Sequence, residues 1–360
     1  MIPDPQGIDA VLALAREDIR SLEPYKNASW EPALTRLHAN ESPWPPAFDT
    51  SGDGGGLHRY PQPQPPELLH ALAAAWGVEP SQLLVGRGSD EAIDLVTRAF
   101  CAAGRDSVVV CPPTFGMYAV AARIQGAAVR RVPLDAARAF ALDVPGIRAA
   151  IGSGAKIVWL CPPNNPTGTA MAHEDIMAVL DAAVGRALVI VDEAYAEFED
   201  GPTWTGQVAR WPHLATLRTL SKAHALAGAR MGAIVAAPAI ISLLRRIVPP
   251  YAVPGPTLRA SLAALRPDAL AITAERVSLL RRERQRLAAG LAGCRGVTRV
   301  WPSAANFLLV EWLDAGDALA RLRAAGLLVR DFRGYDGLGQ ALRLTVGSPG
   351  QNDRMLEVLA

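Results

Sequence analysis

From residue 83 onward the chain alternates short apolar runs with glycine- or proline-marked turns and amphipathic stretches. The strand candidates are LLV (83–85), DSVVVCPP (106–113), AAVRRVPL (127–134), KIVWLCPP (156–163), ALVIVDEAY (187–195), LATLRTLS (214–221) and GAIVAAP (232–238). Several are continuously apolar, as strands covered by helices on both faces must be. Their alternation with helical patterns predicts an α/β unit built on a mostly parallel sheet. Upstream, residues 8–22 and 66–76 carry helical periodicity. The stretch 31–66 between them is dense in proline and glycine and predicts an extended arm and loop. A structureless stretch of that length is usually functional or wraps a neighbour. Downstream, Pro249, Pro250, Pro254 and Pro256 mark a linker. A long arginine-rich helix over 267–290 follows, then VTRVWPS, NFLLVEW, a helix, GLLVR and ALRLTVG, which predict a smaller α/β unit. The expected division is an N-terminal arm (1–45), a large domain (46–250) and a small C-terminal domain (251–360).

Composition removes several functional classes. A net charge of +1 and a pI near 7.7 give no bulk attraction to nucleic acid or anionic membrane. No run approaches the roughly 18–20 apolar residues that span a bilayer. The first twenty residues place acids and prolines early, unlike a signal peptide. Cys101, Cys111, Cys161 and Cys294 lack metal-ligand spacing and read as buried small hydrophobes in a reducing compartment. These features predict a soluble cytoplasmic protein without a metal.

Only three lysines, Lys26, Lys156 and Lys222, occur among 36 basic residues. A lysine kept amid such a preference for arginine points to an amine that must lose a proton and attack a carbonyl, which guanidinium cannot do. Lys222 lies in TLRTLSKAHALAGARMG, behind Thr219 and Ser221 and ahead of Arg230. Hydroxyls, an amine and an arginine within twelve residues suit an anionic ligand bearing an aldehyde, such as pyridoxal phosphate. For Ser-Lys alone, an ordinary surface lysine is the simpler reading.

The remaining polar signals follow strand candidates, where ligands sit in open α/β sheets. Gly86-Arg87-Gly88-Ser89-Asp90 is a glycine turn opening a helix, either a phosphate cradle or an ordinary cap. Asn164-Asn165-Pro166-Thr167-Gly168 is either a tight turn or a donor to the oxygen beside the aldehyde. Asp192, at the end of a buried strand, needs a partner, and a protonated pyridine nitrogen would serve. A carboxylate capping the next turn is the common alternative.

The order of these motifs carries more than any one of them. Together with LEPYKNA (22–28), ANESP (39–43), RYP (59–61), GSDEAI (88–93), PPTFGMY (112–118), DEAY (192–195), TLSKAHALAG (219–228) and ALRLTVG (341–347), they resemble the fold-type-I, pyridoxal-phosphate-dependent aminotransferases. Within that class the chain most closely resembles the histidinol-phosphate aminotransferases, over nearly its whole length.

The resemblance implies a large domain with a mostly parallel seven-stranded sheet, a smaller α/β C-terminal domain and transamination between glutamate and imidazole acetol phosphate. It implies pyridoxal 5'-phosphate as cofactor, with Lys222 bonding the aldehyde and then moving the substrate proton. Asp192 is expected to hold the pyridinium, and Asn165 and Tyr195 the ring hydroxyl. Phe115, where the family often has tyrosine, is expected to stack on the ring. Ser89, Asp90, Glu91, Thr219, Ser221 and Arg230 are expected around the cofactor. Tyr60 matches a tyrosine that reaches the neighbouring subunit's cofactor, implying a homodimer with shared sites. Tyr25, Asn40, Arg330 and Arg343 match substrate-side positions, Arg343 facing an α-carboxylate and Arg330 a phosphate. His224 stands where an apolar aromatic is common. The rivals are an aromatic or broad-range aminotransferase, a threonine-phosphate decarboxylase and, outside enzymes, a regulator that reuses the fold.

Overall fold

The structure, a computed structural model, describes residues 5–26, 29, 31, 34–48 and 56–360. The end of LEPYKNA (27–28) and parts of the proline- and glycine-rich stretch therefore lie outside the described residues.

Seven strands form the main sheet: β1 (Leu83–Gly86), β2 (Ser107–Val110), β3 (Ala128–Arg131), β4 (Ala155–Leu160), β5 (Leu188–Asp192), β6 (Leu214–Thr219) and β7 (Gly232–Val235), in the order β1-β7-β6-β5-β4-β2-β3. The pairs from β6 through β3 are parallel; β7 runs antiparallel to both its neighbours. Each strand candidate in this half of the sequence is a strand. Side chains alternate between two cores, as the two-residue period of a strand requires. Val109, Val158, Val189, Val191 and Val235 enter one core; Val108, Val110, Ile157, Trp159, Ile190 and Ile234 enter the other.

Helices cover both faces: α1 (Pro5–Leu14), α2 (Glu17–Arg20), α3 (Pro66–Trp76), α4 (Ser89–Phe100), α5 (Met117–Gln125), α6 (Val144–Gly152), α7 (His173–Ala183) and α8 (Pro238–Leu244). The periodic stretch 8–22 is thus two helices, not one. α9 (Gly255–Ala264) begins inside the segment that prolines mark as a linker, with a proline in its first turn where the absent N–H costs nothing.

Beyond α10 (Pro267–Ala292), the strands β8 (Val297–Val300), β9 (Phe307–Trp312), β10 (Arg330–Asp331) and β11 (Ala341–Thr345) form a four-stranded antiparallel sheet, ordered β10-β11-β9-β8. α11 (Ala315–Ala324) and α12 (Pro349–Leu359) pack with α10 around a third core that includes Leu287, Leu308, Leu322, Leu342 and Leu359. The run GLLVR is a strand only at its end. Leu327 and Val329 pack on this core, Leu328 is exposed, and pairing starts at Arg330. A small apolar cluster of Tyr195, Phe198, Val277, Ala305 and Phe307 joins the two halves. Among the described residues, no helix is long and apolar enough to cross a membrane.

Candidate active site

A cavity of about 550 Å³ opens where the carboxyl ends of β4, β5 and β6 meet the edge of the small sheet. Parallel packing brings those ends together, so residues distant in sequence converge there. Asp192 ends β5, Thr219 ends β6, and Asn165 follows β4.

Asp192 is buried. The Tyr118 hydroxyl donates to its Oδ2 at 2.7 Å and the Ala194 backbone N–H to its Oδ1 at 3.1 Å. Burial penalises the carboxylate and pushes its pKa up to about 6, against the pull of those two donors. Asn165 Nδ2 donates to the Tyr195 hydroxyl at 3.3 Å, and Arg343 donates to Asn165 Oδ1. Its neighbour Asn164 has a structural part: fully buried, it donates to Pro113 O and accepts from the Thr114 hydroxyl, both at 2.8 Å, pinning the turn that presents Asn165.

Lys222 stands on the cavity wall with its Nζ 5.5 Å from the Tyr195 ring centroid. Its side chain is exposed where the cavity opens. Its pKa is lowered first by desolvation and next by the Arg343 cation. Both favour the neutral, nucleophilic amine.

Around the opening of α4, Gly88 has φ +82°, and a Cβ there would come within 2.7 Å of the Arg230 guanidinium. Gly232 brings β7 so close that a Cβ on it would lie 2.6 Å from the Ser89 nitrogen. The Ser89 hydroxyl is buried without a partner. Thr219 Oγ1 donates to Met231 O at 2.9 Å and accepts from Ser221 N–H at 3.1 Å. Arg230 is tethered at 3.1 Å to the Asp90 carboxylate, so Asp90 offers a ligand its backbone and not its acid.

The opposite wall comes from the small sheet. Arg330 and Arg343 are directly paired residues of β10 and β11. Their guanidinium carbons lie 5.9 and 5.4 Å from the Phe332 ring centroid. Tyr335 packs edge-on against Phe332, with centroids 4.7 Å apart. Phe115 lines the cavity between the two walls.

The family model described as aminotransferase class I and II matches residues 34–359. The chain is 51% identical over 354 residues to the histidinol-phosphate aminotransferase of Xylella fastidiosa strain 9a5c, covering 97% of this chain and 96% of that one. It is 50% identical over 357 residues to the enzyme of the same name from Stenotrophomonas maltophilia strain R551-3, covering 98% and 97%. The chain belongs to the aminotransferase class I and II family. Among solved structures, the histidinol-phosphate aminotransferase of Sinorhizobium meliloti in complex with pyridoxal-5'-phosphate superposes with a TM-score of 0.76 at 26% identity, over 85% of this chain and 83% of that one.

For an aminotransferase of this family, the donor set fits a phosphorylated pyridine aldehyde. The unpartnered Ser89 hydroxyl, a helix N-terminus, Thr219, Ser221 and Arg230 suit a phosphate. A buried carboxylate suits a ring cation, and a desolvated amine suits an aldehyde.

Not every expected residue is on this wall. Glu91 is a correction: its carboxylate turns back to accept from the Arg87 backbone N–H at 2.7 Å and to pair with the Arg87 side chain, closing the turn instead of lining the cavity. The reason is local, since Gly86 leaves the space that the Glu91 carboxylate fills. Tyr25, Asn40 and Tyr60 are exposed and away from their own chain's cavity; Tyr60 stacks on Tyr251 at 4.5 Å. Conversely, Tyr118, Phe332 and Tyr335 take part in or support the site and carried no signal of their own. Tyr118 ends PPTFGMY, where the motif drew attention to Phe115. His224, two residues after Lys222, is half-buried with its Nδ1 unpartnered, and desolvation lowers its pKa.

Proposed function

We propose that this chain is a pyridoxal-phosphate-dependent histidinol-phosphate aminotransferase, exchanging an amino group between glutamate and imidazole acetol phosphate in histidine biosynthesis. The observation that carries the substrate reading is the pair Arg330 and Arg343, set side by side on adjacent strands and facing one cavity with Lys222. Glutamate has two carboxylates and no phosphate; histidinol phosphate has a phosphate and no α-carboxylate. A site that serves both needs cationic donors for either anion, and guanidinium forks match carboxylate and phosphate alike.

When bound, pyridoxal phosphate supplies an aldehyde that accepts an amine and a cationic ring that draws electrons from the adjoining carbon. The chain's own groups do the rest. Lys222 is the amine that would hold the aldehyde carbon, and as a neutral base beside it would carry the proton at the substrate α-carbon. Asp192 holds the ring nitrogen in its protonated form. Asn165 and Tyr195 would hold the ring hydroxyl, and Phe115 would pack against the ring. Ser89, Thr219, Ser221 and Arg230, with the backbone N–H of Asp90, hold the phosphate.

We assign Tyr60 to the cofactor site of a second subunit, and Tyr25 and Asn40 to the substrate side. A homodimer is supported by the exposed aromatic and aliphatic side chains of the arm, Tyr25, Leu34, Leu37 and Trp44, and of Phe48 just beyond it. The arm (1–45), large domain (46–250) and small domain (251–360) are the units we propose for this assembly, in the cytoplasm. The test is a direct assay of purified protein with histidinol phosphate, phenylalanine, tyrosine and threonine phosphate as substrates. Histidinol phosphate should give the highest kcat/KM by at least tenfold. Release of carbon dioxide from threonine phosphate, or preference for phenylalanine, would overturn the assignment.

A further inference from the structure

We propose that Tyr118 is a positioning residue for Asp192, holding its carboxylate ionised and aimed at the cofactor's ring nitrogen. The proposal rests on the reading that Asp192 faces that nitrogen. Tyr118 is the second residue of α5, is fully buried, and its ring stacks on Trp159 with centroids 5.0 Å apart and planes 5° apart. Phe115 meets it edge-on at 5.6 Å. Two rings thus fix its plane, and its hydroxyl is directed at Asp192 Oδ2. With Ala194 N–H on Oδ1, each carboxylate oxygen has one protein donor. That arrangement prevents the carboxylate from rotating and leaves further lone pairs for a cation in the cavity.

The direction of the electrostatic effect follows. Burial drives Asp192 towards its neutral form, and the Tyr118 hydrogen bond is the largest influence opposing it. Other groups facing the carboxylate are Asp90 on α4, which opposes ionisation, and Lys222 after β6, which favours it. The Tyr195 phenol, raised by burial, and the Cys161 thiol, pushed by burial up to about 12, are neutral near pH 7. Tyr118 itself remains a donor at working pH, because burial and the nearby carboxylate raise its pKa well above the ordinary phenol value. Removing one charge-assisted donor therefore raises the Asp192 pKa and leaves less carboxylate to meet the ring cation at neutral pH.

The test compares wild type, Tyr118→Phe, Trp159→Phe and Asp192→Asn. The full-length apoprotein of each is titrated with pyridoxal phosphate between pH 5 and 9, with affinity read by tryptophan fluorescence quenching. In wild type, affinity should fall as pH drops through about 6. In Tyr118→Phe, the midpoint should move up by about one pH unit, with affinity about tenfold weaker within the shifted window and recovered above it. Trp159→Phe, which alters the stacking but not the donor, should keep the wild-type midpoint. A wild-type midpoint in Tyr118→Phe, or an equal shift in both aromatic variants, overturns the proposal. If Asp192→Asn itself keeps wild-type affinity and pH dependence, it is the placement of the ring nitrogen that fails.

Discussion

The two walls of the cavity are built differently. On the large-sheet side, Asp192, Asn165, Tyr195 and Thr219 are buried at strand ends and in short turns, each held by hydrogen bonds to its neighbours. On the small-sheet side, Arg330 and Tyr335 are exposed, one on a two-residue strand and the other beside Gly334, Gly337 and Gly339, all with positive φ. A reaction common to many amines requires groups fixed relative to one ring, which a packed sheet provides. Choice among substrates requires groups that differ from one relative to another, which an edge strand and a glycine-rich turn tolerate. On the proposed function, the first wall carries the chemistry and the second the selection.

The comparison breaks most visibly at Lys222. Lys222→Ala should lower transamination of all substrates by about 10²–10⁴-fold or more, because on the proposed function it removes both the nucleophile and the proton carrier. Lys156→Ala should leave kcat near wild type, and absorbance spectra should show retention of covalently bound cofactor in that variant alone. Uniform loss across substrates marks the first wall; substrate-dependent loss would contradict it.

Asp192 gives the next largest effect and a sign test. Its pKa stands at about 6, above the ordinary aspartate value, so in the cofactor-free protein its ionisation costs stability at neutral pH. That cost is relieved as pH falls through about 6 towards the unfolded value. With a ring cation bound, the sign reverses, since protonation then removes a partner. Thermal melts should show cofactor-induced stabilisation that is large at pH 7.5 and shrinks below pH 6. Asp192→Ala should abolish this pH dependence and bind cofactor weakly.

Tyr60 tests whether a site is completed by a second copy. Mixing Lys222→Ala subunits with Tyr60→Ala subunits should yield heterodimers in which one site has both residues intact, restoring activity above that of either variant alone. A fully active monomer in sedimentation would contradict it. The smallest effect is expected at Glu91. Glu91→Gln should reduce stability by roughly 1–3 kcal/mol through the weakened Arg87 turn, seen as a lower Tm, with cofactor affinity unchanged.

Legibility in the sequence divides along the same line as the walls. The buried strands of the large sheet announce themselves because burial on both faces demands continuous apolar runs, whereas the edge strand β3 is largely exposed; residues that follow the buried runs lie at one end of a parallel sheet. Lys222, Asp192 and Asn165 were readable for that reason. β10 was harder: two residues pair, and Leu327 and Val329 look strand-like only because they pack on the small core. Glu91 was misplaced because an acid at a helix N-terminus can face a ligand or turn back on its own loop, and only the space above Gly86 decides. Tyr118 was invisible because an aromatic residue on a buried helix face gives no sign that its hydroxyl meets a strand 74 residues away. The roles proposed for the arm residues involve a second chain, which one sequence describes only by resemblance.

The division of labour between the walls is tested most directly by kcat/KM for histidinol phosphate and for phenylalanine in Arg330→Ala and Arg343→Ala. Losing a charge-assisted phosphate contact costs roughly 1.5–3 kcal/mol, or about ten- to a hundredfold in rate. Arg330→Ala should lose that much with histidinol phosphate and little with phenylalanine, whereas Arg343→Ala should be hurt most with the α-carboxylate substrate. Equal losses on both substrates in Arg330→Ala would contradict the phosphate assignment and return the enzyme to a general aminotransferase.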